Sequence, residues 1–362
     1  MPLKAAILIL ICLFLTMGKQ NKHTRISDLG EFGLIDHLTR DIQLKNKSTL
    51  KGVGDDAAVF NYGDRCVVFS TDLFTEGVHF NLMYVPLKHL GYKAVVVNLS
   101  DIYAMNARPR QITVSLALSK KFSVEAVDEL YSGIKLACEK YQVDMVGGDT
   151  TSSLTGLTIS VAVLGDAPEE ALVYRSGAKP GDLLCVTGDL GGAYMGLQLL
   201  ERENEVFKVN EQMQPQLEGY QYILERQLKP EARADIPGVF QELGIRPSSM
   251  IDISDGLSSE ILHLCKSSNV GCRLNEAEIP MDDQTKKMAS ELNINPLVAA
   301  MNGGEDYELL FTIAPGDAKK IKNHPDFTVI GEMTEASEGT NLITVGGSAI
   351  PLWAQGWNHM KK

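Results

Sequence analysis

Apolar residues recur at helical spacing at Leu29, Phe32, Ile35 and Leu38 behind a capping Ser27, which predicts an amphipathic helix at the start of the globular part. The run "CVVFSTDLF" (66–74) is β-rich and ends in polar residues, so it predicts a strand whose exit carries Thr71 and Asp72. Pro86 then opens a long helix reaching about Asn106, stopped by Arg108-Pro109. After it come a strand, "RQITVSLALS", a helix, "VEAVDELYSGIKLACEKYQ", a strand broken at its glycines, "VDMVGGDT", and a strand, "LTISVAVLGDAP". This alternation predicts an α/β or α+β domain ending near the turn-rich "GDAPEE".

The second half restarts with "GDLLCVTGDLGGAYMGLQLL" (181–200), a strand, a glycine turn and a helix. Residues 201–220 are strongly polar and predict an exposed helix end or loop; "SSMIDISDGLSSEILHLCKSS" (248–268) repeats strand, polar turn and helix. Near the end, "LITVGGSAIPL" predicts a hairpin turning at Gly346 and Gly347. The expected division is a leader or over-extended start at 1–25, an N-terminal domain at 26–166 and a C-terminal α/β domain at 167–362.

At 362 residues the chain exceeds one ordinary core, and its 44% hydrophobic and 22% charged content is that of a soluble globular protein. A net charge of −12 argues against nucleic acid or an anionic membrane as partner, unless divalent cations mediate. Six cysteines without C-x-x-C pairs fit a reducing cytoplasm. The apolar run "AAILILICLFL" (5–15) has the length of a signal-peptide core and is too short to span a membrane. No clear A-x-A site follows it, and a start at Met17 or a dispensable leader is favoured over secretion.

Candidate chemistry changes this picture most. The stretch "GVGDDAAVF" (52–60) suggests a nucleotide loop, a metal site or an ordinary turn. The chain has no G-x-x-x-x-G-K-[ST], and "TGDLGG" lacks dinucleotide-fingerprint spacing. Instead carboxylates recur at strand ends and glycine turns: Asp55 and Asp56, Asp72, Asp101, Asp149, Asp252 and Asp255, Glu305 and Asp306. Turns favour Asp and Gly for their own sake, but Asp101 lies in an otherwise apolar helix, on one face with Asn98. Two carboxylates about 4 Å apart repel by about 4 kcal/mol at an effective dielectric near 20. Several in one cleft would exceed a domain's net stability of roughly 5–15 kcal/mol, so cations must fill it. All-oxygen ligands favour Mg²⁺, which bridges to phosphates and points to a nucleoside triphosphate. If the loop is extended, Asp55 and Asp56 point to opposite sides and only one faces the cations.

The ordered set "GDDAA", "STD", "GVHF", "KAVVVNLSDIYAMNARP", "GGDTT", "RSGAKPGD", "IDISDG" and "GGEDYEL" resembles the thiamine-monophosphate kinase branch of the aminoimidazole ribonucleotide synthetase-like superfamily. The resemblance runs from about Gly30 to Trp357. It implies a two-domain fold, with an N-terminal domain that dimerises through its strands and a C-terminal α/β domain that completes the active site. The implied activity is Mg²⁺- and ATP-dependent phosphorylation of thiamine monophosphate to thiamine diphosphate, the last step of that cofactor's biosynthesis. By position, the resemblance implies Asp56, Ser70, Thr71, Asp72, Asp101, Asp149, Asp252 and Asp255 as magnesium ligands. It implies Gly148, Asp149, Arg175 and Ser254 as ATP contacts, and His79, Glu305 and Trp357 as substrate contacts; Asp72, Asp101 and Asp149 stand closest to the chemistry. It also selects Asp56 over Asp55. Residues 201–220 match no motif of the family. Three other readings stay open from sequence: a superfamily member that activates an amide or carboxamide oxygen, a non-catalytic nucleotide-binding module, and a secreted calcium-binding protein.

Overall fold

The structure is a computed structural model that describes residues 26–354; the leader at 1–25 and Trp357 lie outside the described residues. The described residues fall into two compact units, 26–42 and 43–354. In the first, helix α1 (Ile26–Thr39) is broken at Gly30, whose φ of 69° and ψ of −177° are not helical, so the expected amphipathic helix is two pieces.

The unit 43–354 contains two sheets. The first orders its strands β1-β2-β3-β6-β4-β5: β1 (Thr49–Lys51), β2 (Ala58–Asn61), β3 (Cys66–Thr75), β4 (Arg108–Ser119), β5 (Asp144–Ser153) and β6 (Leu157–Ala167). Only β4 and β5 run parallel. Helix α2 (Leu87–Ala104) connects β3 to β4, and α3 (Val124–Tyr141) makes the crossover from β4 to β5.

The second sheet orders its strands β13-β12-β9-β11-β7-β10-β8: β7 (Leu183–Thr187), β8 (Ser249–Asp252), β9 (Gly271–Asn275), β10 (Leu309–Ile313), β11 (Phe327–Thr334), β12 (Thr340–Ile343) and β13 (Ala349–Pro351). Only β9 and β12 are parallel, and β12–β13 is the expected hairpin. Its helices are α4 (Gly192–Val209), α5 (Gln221–Leu228), α6 (Ile236–Leu243), α7 (Leu257–Ser268), α8 (Asp283–Glu291), α9 (Pro296–Asn302) and α10 (Ala318–Ile321). The predominance of antiparallel pairs makes the alternating pattern of the sequence a mixed, α+β-like architecture.

Three local expectations are corrected. Thr71 and Asp72 lie inside β3, which continues to Thr75 because it pairs with β6 along its whole length. β5 does not end at Gly147 and Gly148 but runs to Ser153, paired with β4 as far as Ser119, with one register shift between Met145 and Gly147. Arg108-Pro109 does more than stop α2: both residues belong to β4, with a register shift just after Pro109 where the ring cannot donate to the ladder.

Helix α2 is hydrophobic nearly all round because it has neighbours all round. Fourteen of its eighteen residues are buried, against β3, β6, α3 and, from the second sheet, β8. The α2–α3 crossing is fixed by glycine: a Cβ on Gly91 would lie 2.0 Å from the Leu130 carbonyl oxygen, and one on Gly133 would lie 1.8 Å from that of Lys88. The second sheet carries a core on each side, one around Ile251, Leu310 and Ile330 and one around Phe240, Phe311 and Phe327.

Gly133→Ala is expected to lower stability by about 1–3 kcal/mol, read as a reduced urea midpoint, since the methyl group meets backbone that cannot rotate away. Gly238→Ala, in α6 with nothing within 4 Å of its Cβ position, is expected to raise stability by about 0.5–1 kcal/mol in the same titration.

Candidate active site

Three carboxylates meet where the two sheets face each other across α2. Asp56 comes from the loop before β2, Asp101 from α2 and Asp252 from the end of β8; one oxygen of each lies within 4.8 Å of the others. Asp72, on β3, shares the α2-facing side of its strand with Ser70, and its charge raises both Asp101 and Asp252.

Each acid is aimed by a neighbour. Ser70 Oγ donates to Asp101 Oδ2 at 2.6 Å, and Ser100 Oγ donates to Asp252 Oδ2 at 2.6 Å. Asn98, one turn before Asp101, accepts from the Asp72 backbone N–H at 2.9 Å and donates to the Ala94 carbonyl. Arg175 places Nη2 at 2.6 Å and Nε at 3.2 Å from Asp56 Oδ1, while its backbone N–H donates to Asp55 Oδ1 at 3.0 Å. Asp55 also pairs with Lys51 at 2.9 Å, so the two adjacent aspartates divide their work: Asp55 shapes the turn and Asp56 enters the cluster.

Burial pushes the Asp56 and Asp72 carboxyls up to about 6 and that of Asp252 up to about 7; for Asp56 the charge of Arg175 works the other way. Asp101 is pushed well above the carboxylate range by burial and then by the charges of Asp72, Asp252 and Asp56. Like charges are thus held together in a poorly solvated place. Asp56 Oδ2 is buried without a hydrogen-bond partner. An orphaned oxygen in an all-oxygen group fits a hard divalent cation, and the donor set suits Mg²⁺.

The other expected residues are placed differently. The Thr71 side chain lies on the opposite face of β3 and donates to the Val161 carbonyl at 2.9 Å, so its hydroxyl does not join the cluster. Asp149 sits on exposed β5, apart from the three-carboxylate group. Gly148, beside it, has a packing reason to be glycine, because a Cβ there would lie 1.8 Å from the Val114 carbonyl oxygen. His79 follows β3, accepts from the Thr75 N–H at 3.1 Å and stacks on Phe74.

The turns "DISDG" and "GGEDYEL" are laced together by main-chain bonds from Glu305 N–H to the Ser254 carbonyl, Tyr307 N–H to Ile253 and Ile253 N–H to Glu308. The lacing holds Glu305 at φ 59° and Tyr307 at φ 52°, left-handed conformations that side chains rarely adopt. Glu305 accepts from Lys93 at 2.9 Å and from Gln227 at 3.0 Å. The other acids of this motif have structural tasks. Asp306 accepts from the Gly191 N–H at the start of α4, and Glu308 binds Thr187, Arg226 and Arg233.

Sequence reasoning missed Glu260, Lys93 and Ser100. Glu260, in the first turn of α7, accepts from the Asp255 N–H at 2.8 Å; burial and then the charge of Asp255 raise its carboxyl well above the usual range. An acid five residues after Asp255, opening a helix, was the available signal. Lys93 and Ser100 are polar residues inside an apolar helix, the same signal that singled out Asp101.

Residues 54–167 match the family model of the AIR synthase related protein N-terminal domain, and residues 179–342 match that of the C-terminal domain. Among curated proteins, the chain is 34% identical to the thiamine-monophosphate kinase of Aquifex aeolicus (strain VF5) over 92% of this chain and 99% of that one. It is 31% identical to that of Bacillus subtilis (strain 168) over 92% of this chain and 100% of the relative. Among solved structures, AaThiL complexed with AMPPCP and TMP superposes with a TM-score of 0.79 at 33% identity, covering 94% of this chain and 100% of that one. Two family models in series, near-complete coverage and the acids gathered about α2 agree: the chain belongs to the thiamine-monophosphate kinase family of AIR synthase related proteins.

Proposed function

We propose that this protein transfers the γ-phosphoryl group of ATP to thiamine monophosphate, releasing ADP and thiamine diphosphate. The observation that carries this reading is the convergence of Asp56, Asp101 and Asp252 from three elements, with Asp72 beside them and Asp56 Oδ2 lacking any partner. The bond that forms joins the γ-phosphorus to a phosphate oxygen of the acceptor; the bond that breaks joins it to the β–γ bridging oxygen. The acceptor oxygen is already anionic, so no strong general base is needed, and phosphate–phosphate repulsion is the main obstacle.

Asp56, Asp72, Asp101 and Asp252 would hold Mg²⁺, with Ser70 and Ser100 aiming two of them and Asp149 and Asp255 extending the set. When bound, Mg²⁺ neutralises phosphate charge and aligns donor and acceptor. Thr71 is left to contribute through its main chain, since its hydroxyl is engaged. Arg175 keeps its charge at any working pH and can swing from Asp56 towards the ATP phosphates; Gly148 and Ser254 line the same approach in this assignment. His79, Glu305 and Trp357 are assigned to the thiamine side, where an aromatic face and a carboxylate suit the thiazolium cation.

Two further assignments belong to this reading. The protein acts as a homodimer formed through the first sheet, supported by β5, an edge strand exposed along almost its whole length. It acts in the cytoplasm, supported by its use of ATP and by the buried free thiols Cys66, Cys185, Cys265 and Cys272. Among the described residues no helix is long and apolar enough to cross a membrane.

Purified protein given ATP, Mg²⁺ and thiamine monophosphate is expected to yield thiamine diphosphate by chromatography, and none with excess EDTA. No product, beside product from an authentic kinase, overturns the reading. Asp72→Asn is expected to cut turnover by about 10²-fold or more with unchanged circular dichroism; near-normal turnover at saturating Mg²⁺ would remove Asp72 from the metal set. In EDTA, Asp101→Asn is expected to raise the melting temperature by about 1–2 °C, because relief of the carboxylate repulsion is worth roughly 1 kcal/mol after the lost charge-assisted bond from Ser70.

A further inference from the structure

Beyond the C-terminal end of α2 lies a cleft of about 920 Å³, lined by Asn106, Arg108 and Lys140 from the first half of the chain and by Glu231, Asp235 and Arg246 from the second. None of Asp56, Asp72, Asp101 or Asp252 lines it. Its volume falls within the range of about 300–1,000 Å³ that small-molecule sites occupy, and junctions between layers are where such sites concentrate.

The charges of the cleft are unevenly matched. Asp166 takes both Arg65 and Arg110. Glu231 takes Lys140 at 2.6 Å and Lys229 at 3.1 Å, besides the hydroxyls of Tyr92 and Tyr141. Asp235 takes Arg233 at 2.8 Å. Arg110, Lys229 and Arg233 come from outside the lining, so every acid of the cleft is matched with cations to spare. Two arginines on its wall, Arg108 and Arg246, have no carboxylate partner among the described residues.

Local geometry sharpens what those arginines await. Arg246 Nη2 donates to the Leu172 carbonyl at 3.3 Å, and Asn106 Nδ2 donates to the adjacent Ala171 carbonyl at 2.8 Å. Successive carbonyls of one short turn therefore bring the guanidinium and the amide side by side. With its Nδ2 so committed, Asn106 offers only its Oδ1, which is buried and has no hydrogen-bond partner. Arg108 follows two residues later, exposed at the start of β4. Two unmatched guanidiniums ask for a multiply charged anion with several acceptor oxygens; an orphaned acceptor beside them asks for an O–H or N–H on the same ligand.

We propose that this cleft binds a phosphorylated small molecule, with its phosphate on Arg108 and Arg246 and a hydroxyl or amine of the ligand donating to Asn106 Oδ1. The site lies apart from the residues assigned to phosphoryl transfer, so it can be tested without them.

Ribose 5-phosphate, which carries a phosphate and hydroxyls, serves as the probe, titrated by calorimetry into the full-length protein in EDTA. Saturable binding is expected, weakened by at least about 10-fold in the double variant Arg108→Ala, Arg246→Ala and retained in Arg175→Ala, which removes the cation nearest the candidate active site. Thiamine-phosphate turnover of the double variant without probe is expected to stay within about two-fold of the parent, which excludes general damage. If the double variant is unstable, Arg108→Ala alone, at an exposed position, carries the test with an expected weakening of about 3-fold or more. The proposal is overturned by binding that survives removal of the arginines, by binding lost in Arg175→Ala, or by no heat of binding at about 10 mM probe.

Discussion

From Leu90 onward helix α2 has almost no access to water, and the polar side chains buried there find partners inside the protein. That requirement organises the molecule. Lys93 is matched by Glu305 and the Gln227 carbonyl, Tyr92 by Glu231, Asn98 by the Asp72 N–H and the Ala94 carbonyl, Ser100 by Asp252, and Asp101 by Ser70. The partners come from both sheets, so satisfying one buried helix draws the two halves of the chain against each other. A buried polar group left unpaired costs on the order of 1–3 kcal/mol, enough to make the arrangement all-or-none. Asp101, Asp252 and Asp56 meet at one point largely as a result.

The same convergence opposes folding. Acids whose carboxyls are pushed up to about 6 or 7 are being asked to ionise where solvation is poor and other acids are near. The chain bears this at one place while spending its arginines elsewhere: Arg226 and Arg233 neutralise Glu308, but only Arg175 lies against Asp56. A site kept short of protein cations suits divalent ones, which in the proposed reading would arrive with ATP. The left-handed Glu305 and Tyr307 add local strain on the same rim, held by the lacing of two turns rather than by their own preference.

Much of this was legible in the sequence, and for a physical reason. A strand followed by a small residue and an acid is a local pattern, and so is an acid inside an apolar helix; they pointed to Asp252 and Asp101, while the glycine turn offered Asp55 and Asp56 together and the family resemblance chose Asp56. The phase of β3 was harder. A polar "STD" at the end of an apolar run reads as an exit, yet β6 pairs through it and sends Thr71 away from Asp72. β5 was misread for a similar reason, since Gly148, which would break an isolated strand, is here required by the approach of the Val114 carbonyl. Asp306 looked like a further ligand because its side-chain partners, the Gly191 N–H and Arg226, lie 115 and 80 residues earlier and carry no local signal. Contacts of that range are decided by tertiary packing, which a linear pattern does not contain.

The crossing of α2 and α3 bears on precision as well as stability. Two backbones in contact at Gly91 and Gly133 leave no compressible side chain between them, so the helices cannot slide past one another by a fraction of an ångström without collision. Asp101 lies ten residues along α2 from Gly91, about 15 Å at 1.5 Å per residue. The tolerance with which its carboxylate is set along the helix axis is thus fixed at a remote point by the absence of a methyl group. Any redesign of the clustered acids inherits that datum, and any redesign of α3 can shift it.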